Sequence, residues 1–328
     1  MPRKTGKILI AELKRRGRKG IDFAKQMFQS ETIHDHKLHE AFDYYLTNWE
    51  NFGHQAIFSA ACEAVGGNPD SVVPVQASIA LLAAAVDIQD DIIDKSKEKH
   101  GIPTLVEKFG PELSLLVGNA FLIEGLKLFI DSTSKLPKED GTKALENLKK
   151  LLFDMGNAHA LELAFRENKS TNLDDYMRIL KMKAASVEAD VYLGALFGGA
   201  KENEIEVASK LGRILGTLMM LREEFIDIFE LEELTQRLAV QDLPFPIIAA
   251  MKEEATKQEI LEIISKPAKT QADIDKLLDI TFKTRPVKEI KTYMKTTIEE
   301  GIALTSKLPH SNVQGTLKNL LLFMIEDL

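Results

Sequence analysis

The stretch AAAVDIQDDIIDKSKEKHGIPT, residues 83–104, sets Asp87, Asp90, Asp91 and Asp94 at the end of an otherwise apolar segment. They stand at i, i+3, i+4 and i+7, the spacing that places side chains on one helical face within two turns. Like charges at that spacing repel, and near a helix C-terminus the macrodipole disfavours them further. Something positive must offset this. Hard divalent ions, Mg²⁺ above all, take one or two protein carboxylates, waters and the oxygens of a substrate phosphate. The pattern predicts a metal–diphosphate site; a solvated acidic helix end is the alternative reading.

A second cluster shifts the balance toward metal. GTLMMLREEFIDIFE, residues 216–230, puts Glu223, Glu224 and Asp227 at i, i+1 and i+4, the spacing of Asp90, Asp91 and Asp94, again within a long apolar segment. Two such clusters predict two helices facing each other across a cavity. Between them LKMKAAS, residues 180–186, carries Lys183 at the expected opening of another helix, and Arg237 follows the second cluster. Taken singly each cation reads as a surface charge; together they form a clamp for phosphates bridged by metal.

The elements that would position these groups are helices. Apolar residues recur at three- and four-residue spacing almost throughout, and alternating β-branched runs bounded by turns are scarce. Turn chemistry falls at 66–71, 100–104, 135–142, 166–175, 243–246, 265–273, 283–286 and 307–312, which divides the chain into ten or so helices. No break is long enough for a domain linker and no repeat period is visible. The expectation is an all-α single domain over residues 1–328, a helical bundle around a central cavity. The helix carrying the first cluster is expected to begin at Pro69-Asp70-Ser71, with Asp70 or Ser71 as cap. Apolar on nearly every side from Val72 to Val86, it belongs at the bundle's centre.

Composition excludes several classes. The 328 residues are 45% hydrophobic and 28% charged, as in an ordinary globular protein. Cys62 is the only cysteine, so there is neither a disulfide framework nor a thiolate metal site, and a reducing, cytoplasmic setting is the default. The longest uninterrupted apolar run, Ala77 to Val86, is about half of what a bilayer-spanning helix needs, which predicts a soluble chain. A net charge of −8 argues against general nucleic-acid binding. Residues 1–25 nevertheless carry nine Lys or Arg against Glu12 and Asp22. That segment reads as a solvated first helix with a frayed tail, or as a peripheral contact for an anionic membrane.

Taken in order, the motifs resemble the trans-polyprenyl diphosphate synthase family. DDIID at 90–94 looks like its first Asp-rich motif, DDxxD, and HGIPT at 100–104 like the end of its RRGxPT segment. The similarity continues through LVGNAFL (116–122), HALELAF (159–165), YMRILKMKAAS (176–186), ASKLGRILG (208–216) and LPFPIIAA (243–250). The resemblance implies the all-α isoprenoid synthase fold, a homodimer, and two or three Mg²⁺ bridging the diphosphate of an allylic prenyl substrate. It makes Asp90 and Asp94 metal ligands, with Asp91 a ligand or a supporting residue. EEFID matches the second motif, so Glu223, Glu224 and Asp227 join the metal set. Lys99, Lys183 and Arg237 align with cations that clamp the allylic diphosphate.

The departures from the family pattern fall mostly on the second substrate. The GKRxRP motif that meets isopentenyl diphosphate is replaced by ENFGHQ, residues 50–55, without Lys or Arg. The second Arg of RRG is His100, the family Gln before the second motif is Met220, and a later Lys is lost in a deletion near QDLPFP. A trianionic ligand without cations would be desolvated at great cost. The expectation is an enzyme that ionises an allylic prenyl diphosphate without isopentenyl diphosphate, as a terpene synthase or atypical prenyltransferase. A genuine polyprenyl diphosphate synthase, of geranylgeranyl length or longer, and a non-catalytic regulatory subunit are the alternatives. Ala85 and Val86, small residues about one turn before Asp90, predict a deep pocket for a long chain, and His159 and Met220 are expected to line it.

Overall fold

The computed structural model of the protein describes residues 4–28, 31–49, 51–99, 101–168, 172–229, 234–235, 237–238, 242–266, 269–326 and 328. Its helices are α1 (Lys4–Phe28), α2 (His36–Asn48), α3 (Gly53–Ala64), α4 (Val73–Asp94), α5 (Leu105–Thr133), α6 (Lys138–Glu167) and α7 (Leu173–Lys183), followed by α8 (Ala185–Phe197) and α9 (Glu202–Ile226). Beyond them run α10 (Phe245–Ala250), α11 (Glu254–Ile264), α12 (Gln271–Lys283), α13 (Arg285–Thr305) and α14 (Ser311–Phe323). The all-α expectation holds. The one strand pair among the described residues is a minimal hairpin, Glu98–Lys99 against Ile102–Pro103, turned by Gly101 at φ 78°.

Helix α4 is the axis of the bundle. It packs on α5, α1 and α3, and residues such as Ala77, Leu81, Ala85 and Ile88 are fully enclosed. Its start differs from the expectation. Asn68 accepts from the Asp70 N–H and caps a single 3₁₀ turn, Pro69–Val72, after which α4 proper begins. Two helices, the stretch Pro69–Asp94 and α5, are long and apolar enough to cross a membrane by length and composition, although neither holds an uninterrupted apolar run of that length. In the first, 67% of the apolar window is buried in the bundle, so its hydrophobicity is that of a core helix.

The end of α4 is shaped to present the tract 95–99. Lys95 takes the left-handed conformation (φ 55°) and its N–H bonds to the Asp91 carbonyl, stopping the helix. Thr104 donates its hydroxyl to the Ser96 carbonyl at 2.6 Å while accepting from the Glu107 N–H at the start of α5. That brace holds the lysine-rich tract against the acidic helix end.

The basic N-terminal segment is not a loose tail. From Lys4 onward it is helix, and Leu9, Ile21 and Ala24 are buried. Arg16 pairs with Glu63 at 2.5 Å and Lys19 with Asp70 at 2.6 Å, so part of its charge is neutralised within the fold.

Candidate active site

The carboxylates of α4 do not share one face. Asp90 and Asp94 line a cleft of about 440 Å³ between the ends of α4, α6, α7 and α9. Asp87 and Asp91 turn instead toward a second cavity, beside α2 and the hairpin, and of the two only Asp87 also borders the shaft beneath the cleft. Adjacent helical positions diverge by about 100°, so the i, i+4 pairs 87/91 and 90/94 form two stripes with a cavity each. The expected single carboxylate face is therefore corrected. Asp91 is 6% exposed, and Lys99 pairs with it at 2.8 Å and with Asp87 at 2.7 Å. Burial pushes the Asp91 carboxyl up to about 6 against the pull of Lys99. Asp91 and Lys99 thus brace the hairpin onto α4 and do not line the cleft. Asp87, unassigned by the sequence, belongs to the same brace.

The cleft joins Asp90 and Asp94 to Glu223 and Asp227, as two facing acidic helices require. Asp90 is touched by His159 Nε2 at 3.3 Å; burial raises its pKa, Lys183 opposes that and Asp94 adds to it. Glu223 is open to the cleft's solvent yet ringed by protein. That enclosure, with Asp227 one turn on, pushes its carboxyl up to about 7. No ion-pair partner engages Glu223 among the described residues, and it is the carboxylate best placed to gain from a cation.

Glu224 departs from its expected role. Its carboxylate accepts from the Phe245 N–H at 2.7 Å, from the Tyr176 hydroxyl at 3.0 Å and from Arg237 at 3.2 Å. Arg237 is equally committed: it pairs with Asp227 at 2.5 Å and Asp242 at 2.9 Å and donates to the Tyr176 oxygen at 2.8 Å. Both residues touch the cleft wall, but their polar atoms are already matched to buried partners. They pin α7, α9 and α10 together and make poor ligands for metal or phosphate without rearrangement.

Lys183 does reach the cleft, although as the last residue of α7 and not the first of the next helix. Burial works against its ammonium, but Glu162 at 2.6 Å and Asp90 outweigh this and hold its pKa above the ordinary lysine value. Sequence reasoning missed five groups here. Arg166 pairs with Asp94 at 2.5 Å, and Glu162 and Asp242 each lie 3.6 Å from its guanidinium. Lys95 and Lys97 line the cleft with no ion-pair partner among the described residues, where Lys99 was expected. The signal for α6 was present: His159, Glu162 and Arg166 follow i, i+3, i+7 on one face.

Beneath the cleft an apolar shaft of about 240 Å³ continues past Ala83 and Val86 of α4 toward Phe129, Leu148 and Leu152. Asp90, Lys183, Met220 and Glu223 border both spaces and form the throat between them. Val86, His159 and Met220 line the shaft as expected, whereas Ala85 does not. It lies one residue round the helix, fully buried among the side chains between α4 and α5. His100, expected near the second substrate site, falls outside the described residues.

An acidic cleft over an apolar shaft, in this order of motifs, agrees with what comparison with known proteins finds. The family model for polyprenyl synthetase matches residues 35–281. The chain belongs to the polyprenyl synthetase family. The geranylgeranyl diphosphate synthase of Methanosarcina mazei is 26% identical over 191 residues, 57% of this chain and 58% of that one. The geranylfarnesyl diphosphate synthase of Aeropyrum pernix is 22% identical over 263 residues, 78% of this chain and 82% of that one. The fold matches the geranylgeranyl pyrophosphate synthetase of Pyrococcus horikoshii with a TM-score of 0.83 at 20% identity, covering 99% and 100% of the two chains. A polyprenyl synthase from Caulobacter crescentus, solved with calcium and isoprenyl diphosphate, superposes with a TM-score of 0.80 at 17% identity over 97% of each chain. Alignment to the first of these relatives spans about 58% of its length, and the shared family sets the fold, not the substrate.

Proposed function

We propose that the protein is a Mg²⁺-dependent prenyltransferase that ionises an allylic prenyl diphosphate in the Asp90–Glu223 cleft, as a polyprenyl diphosphate synthase of about the geranylgeranyl to geranylfarnesyl range. The observation that carries this is the throat, where facing carboxylates and Lys183 open directly into an apolar shaft. Hard oxygen donors on two facing helices suit Mg²⁺. No three potential ligands converge among the described residues, so the ions need substrate phosphate oxygens to complete their shells, as Mg²⁺ sites commonly do. Asp90, Asp94, Glu223 and Asp227 would hold them.

When bound, the ions supply Lewis-acid stabilisation to the departing diphosphate. Lys183, Lys95 and Lys97 meet its remaining charge, and Arg166 keeps Asp94 aimed into the cleft. The shaft holds the prenyl chain away from water, so that the allylic carbon ionises beside Asp90 with no protein nucleophile. The stripe Leu116, Ile123 and Ile130 on α5, between 51% and 63% exposed at seven-residue spacing, supports a homodimer.

One observation favours a second reading, in which the cation is quenched without isopentenyl diphosphate. The adjoining cavity of about 540 Å³, walled by Tyr44, Tyr45 and Trp49, holds Lys99 as its one amine or guanidinium among the described residues, already shared by two carboxylates. Incubation with Mg²⁺ and farnesyl or geranylgeranyl diphosphate, with and without isopentenyl diphosphate, separates the readings. C5-extended products support the first. Prenyl alcohol or hydrocarbon from allylic substrate alone supports the second, and unchanged substrate in every arm refutes both.

A further inference from the structure

Arg166 stands in the last turn of α6 and lines the cleft, yet its guanidinium donors are poorly matched. Among the described residues it makes one hydrogen bond, from Nη1 to Asp94 Oδ1 at 2.5 Å. Glu162 and Asp242 lie 3.6 Å from Nη2 and Nε, too far for a hydrogen bond. Each is held more closely by another cation, Glu162 by Lys183 at 2.6 Å and Asp242 by Arg237 at 2.9 Å. Nε is buried with no hydrogen-bond partner among the described residues. Arg237 differs, since its two terminal nitrogens hydrogen-bond to Asp227, Glu224 and Tyr176. Arg166 is thus a guanidinium in the cleft wall, its side chain 13% exposed, with most of its donors unused.

Asp94, its one close partner, is also one of the carboxylates assigned to the metal. A cation that draws on Asp94 takes away the charge that neutralises Arg166. An arginine cannot shed its proton, so a half-paired guanidinium in a water-poor wall needs another anion. Diphosphate is the anion that arrives with the metal, and the guanidinium fork matches phosphate oxygens two at a time.

We propose that Arg166 is a diphosphate-binding residue: while Nη1 keeps Asp94 aimed, the remaining terminal N–H groups take phosphate oxygens of the substrate. The inference rests on the reading of the cleft as a metal–diphosphate site and adds to it a cation that touches the leaving group itself. It also couples the two ligands. Metal alone sits beside a positive charge that has lost its counter-ion, and diphosphate alone meets the cleft's carboxylates; bound together, each offsets the charge that the other leaves. Lys95, Lys97 and Lys183 complete the positive side of the same cleft.

The test is calorimetric binding of inorganic pyrophosphate, with Mg²⁺ in excess, to full-length wild type, Arg166→Gln, Arg166→Lys and Asp90→Asn, with Tm measured for each unliganded protein. R166Q is expected to bind pyrophosphate about tenfold more weakly, the loss of a charge-assisted phosphate contact. Raising Mg²⁺ further does not restore it, because the missing contact is to phosphate and not to metal. R166K keeps the charge without the fork and is expected to recover to within about threefold of wild type. Wild-type affinity in R166Q overturns the proposal and leaves the cleft reading intact. Recovery of R166Q at higher Mg²⁺ shows that Arg166 acts only through Asp94, and overturns it too. Equal losses in R166Q and R166K in step with a lowered Tm assign a structural role and overturn it as well. If R166Q fails to fold, R166K decides: a loss of about threefold that Mg²⁺ does not restore supports the proposal, and wild-type affinity overturns it. Absence of Mg²⁺-dependent pyrophosphate binding by the wild type, or binding that Asp90→Asn leaves intact, overturns the cleft reading and this one together.

Discussion

Two cavities meet at Glu223, and they treat charge in opposite ways. In the cleft, Asp90, Asp94, Glu223 and Asp227 stand with Lys95, Lys97, Arg166 and Lys183, a mixed surface of the kind the proposed metal and diphosphate would need. In the neighbouring cavity Asp87 and Asp91 close on Lys99 beneath aromatic walls, and Lys99 is the one lysine or arginine lining it among the described residues. Both are built from one helix, α4, read on two stripes. A run of acidic residues is thus no single site: its members are sorted by the 100° between neighbours and by what each stripe meets.

The largest effect that would break this comparison is catalytic. Asp90→Asn is expected to lower pyrophosphate release by about 100-fold or more, roughly 2.7 kcal/mol of transition-state stabilisation, whereas Asp91→Asn lowers it by less than about tenfold. Steady-state rates with geranylgeranyl diphosphate decide it. Equal losses in the two variants would merge the stripes again. A smaller effect separates the lysines. Lys183→Met is expected to raise KM for the allylic substrate about tenfold, near 1.4 kcal/mol, while Lys99→Met leaves it within about twofold. Should Lys99→Met instead raise KM for isopentenyl diphosphate about tenfold, the aromatic cavity binds that diphosphate and the second functional reading falls.

The smallest effect is in pH dependence. Glu223 is raised to about 7 in the folded protein from an ordinary value of 4.5, so between those values the native state binds a proton that the unfolded chain releases. Its contribution to stability is full at low pH and is lost as pH rises toward 7. Thermal melts should therefore show Tm falling slightly more from pH 6 to pH 8 in the wild type than in Glu223→Gln. Metal binding must displace the same proton, so the Mg²⁺ concentration for half-maximal turnover should rise as pH falls below 7. A pH-independent Mg²⁺ requirement would show that Glu223 is ionised or uninvolved.

Much was legible in the residues alone. Helical periodicity, turn residues and the central placement of α4 derive from local chemistry, because 3.6-residue spacing and capping act within a few positions. The two acidic motifs, Lys183, Val86, His159 and Met220 were also legible, since each sits in a short stretch with its own pattern. The errors share a cause. Lys99, Glu224 and Arg237 carry the right charge at plausible places, yet their fate depends on partners 8 to 61 residues away, such as Asp91 for Lys99 and Tyr176 for Arg237. Ala85 and Asp91 each missed the expected cavity by one helical position.

The sequence by itself determined the helices, their central apolar segment and the presence of two acidic clusters. Only the tertiary structure decided which carboxylates remain free. Coulombic pairing and burial act across space, so whether an aspartate binds metal or braces a hairpin rests on the side chain brought opposite it by other helices. The same holds for His54, an ordinary histidine in the chain that becomes half of a buried pair once α8 sets Asp190 against its Nδ1.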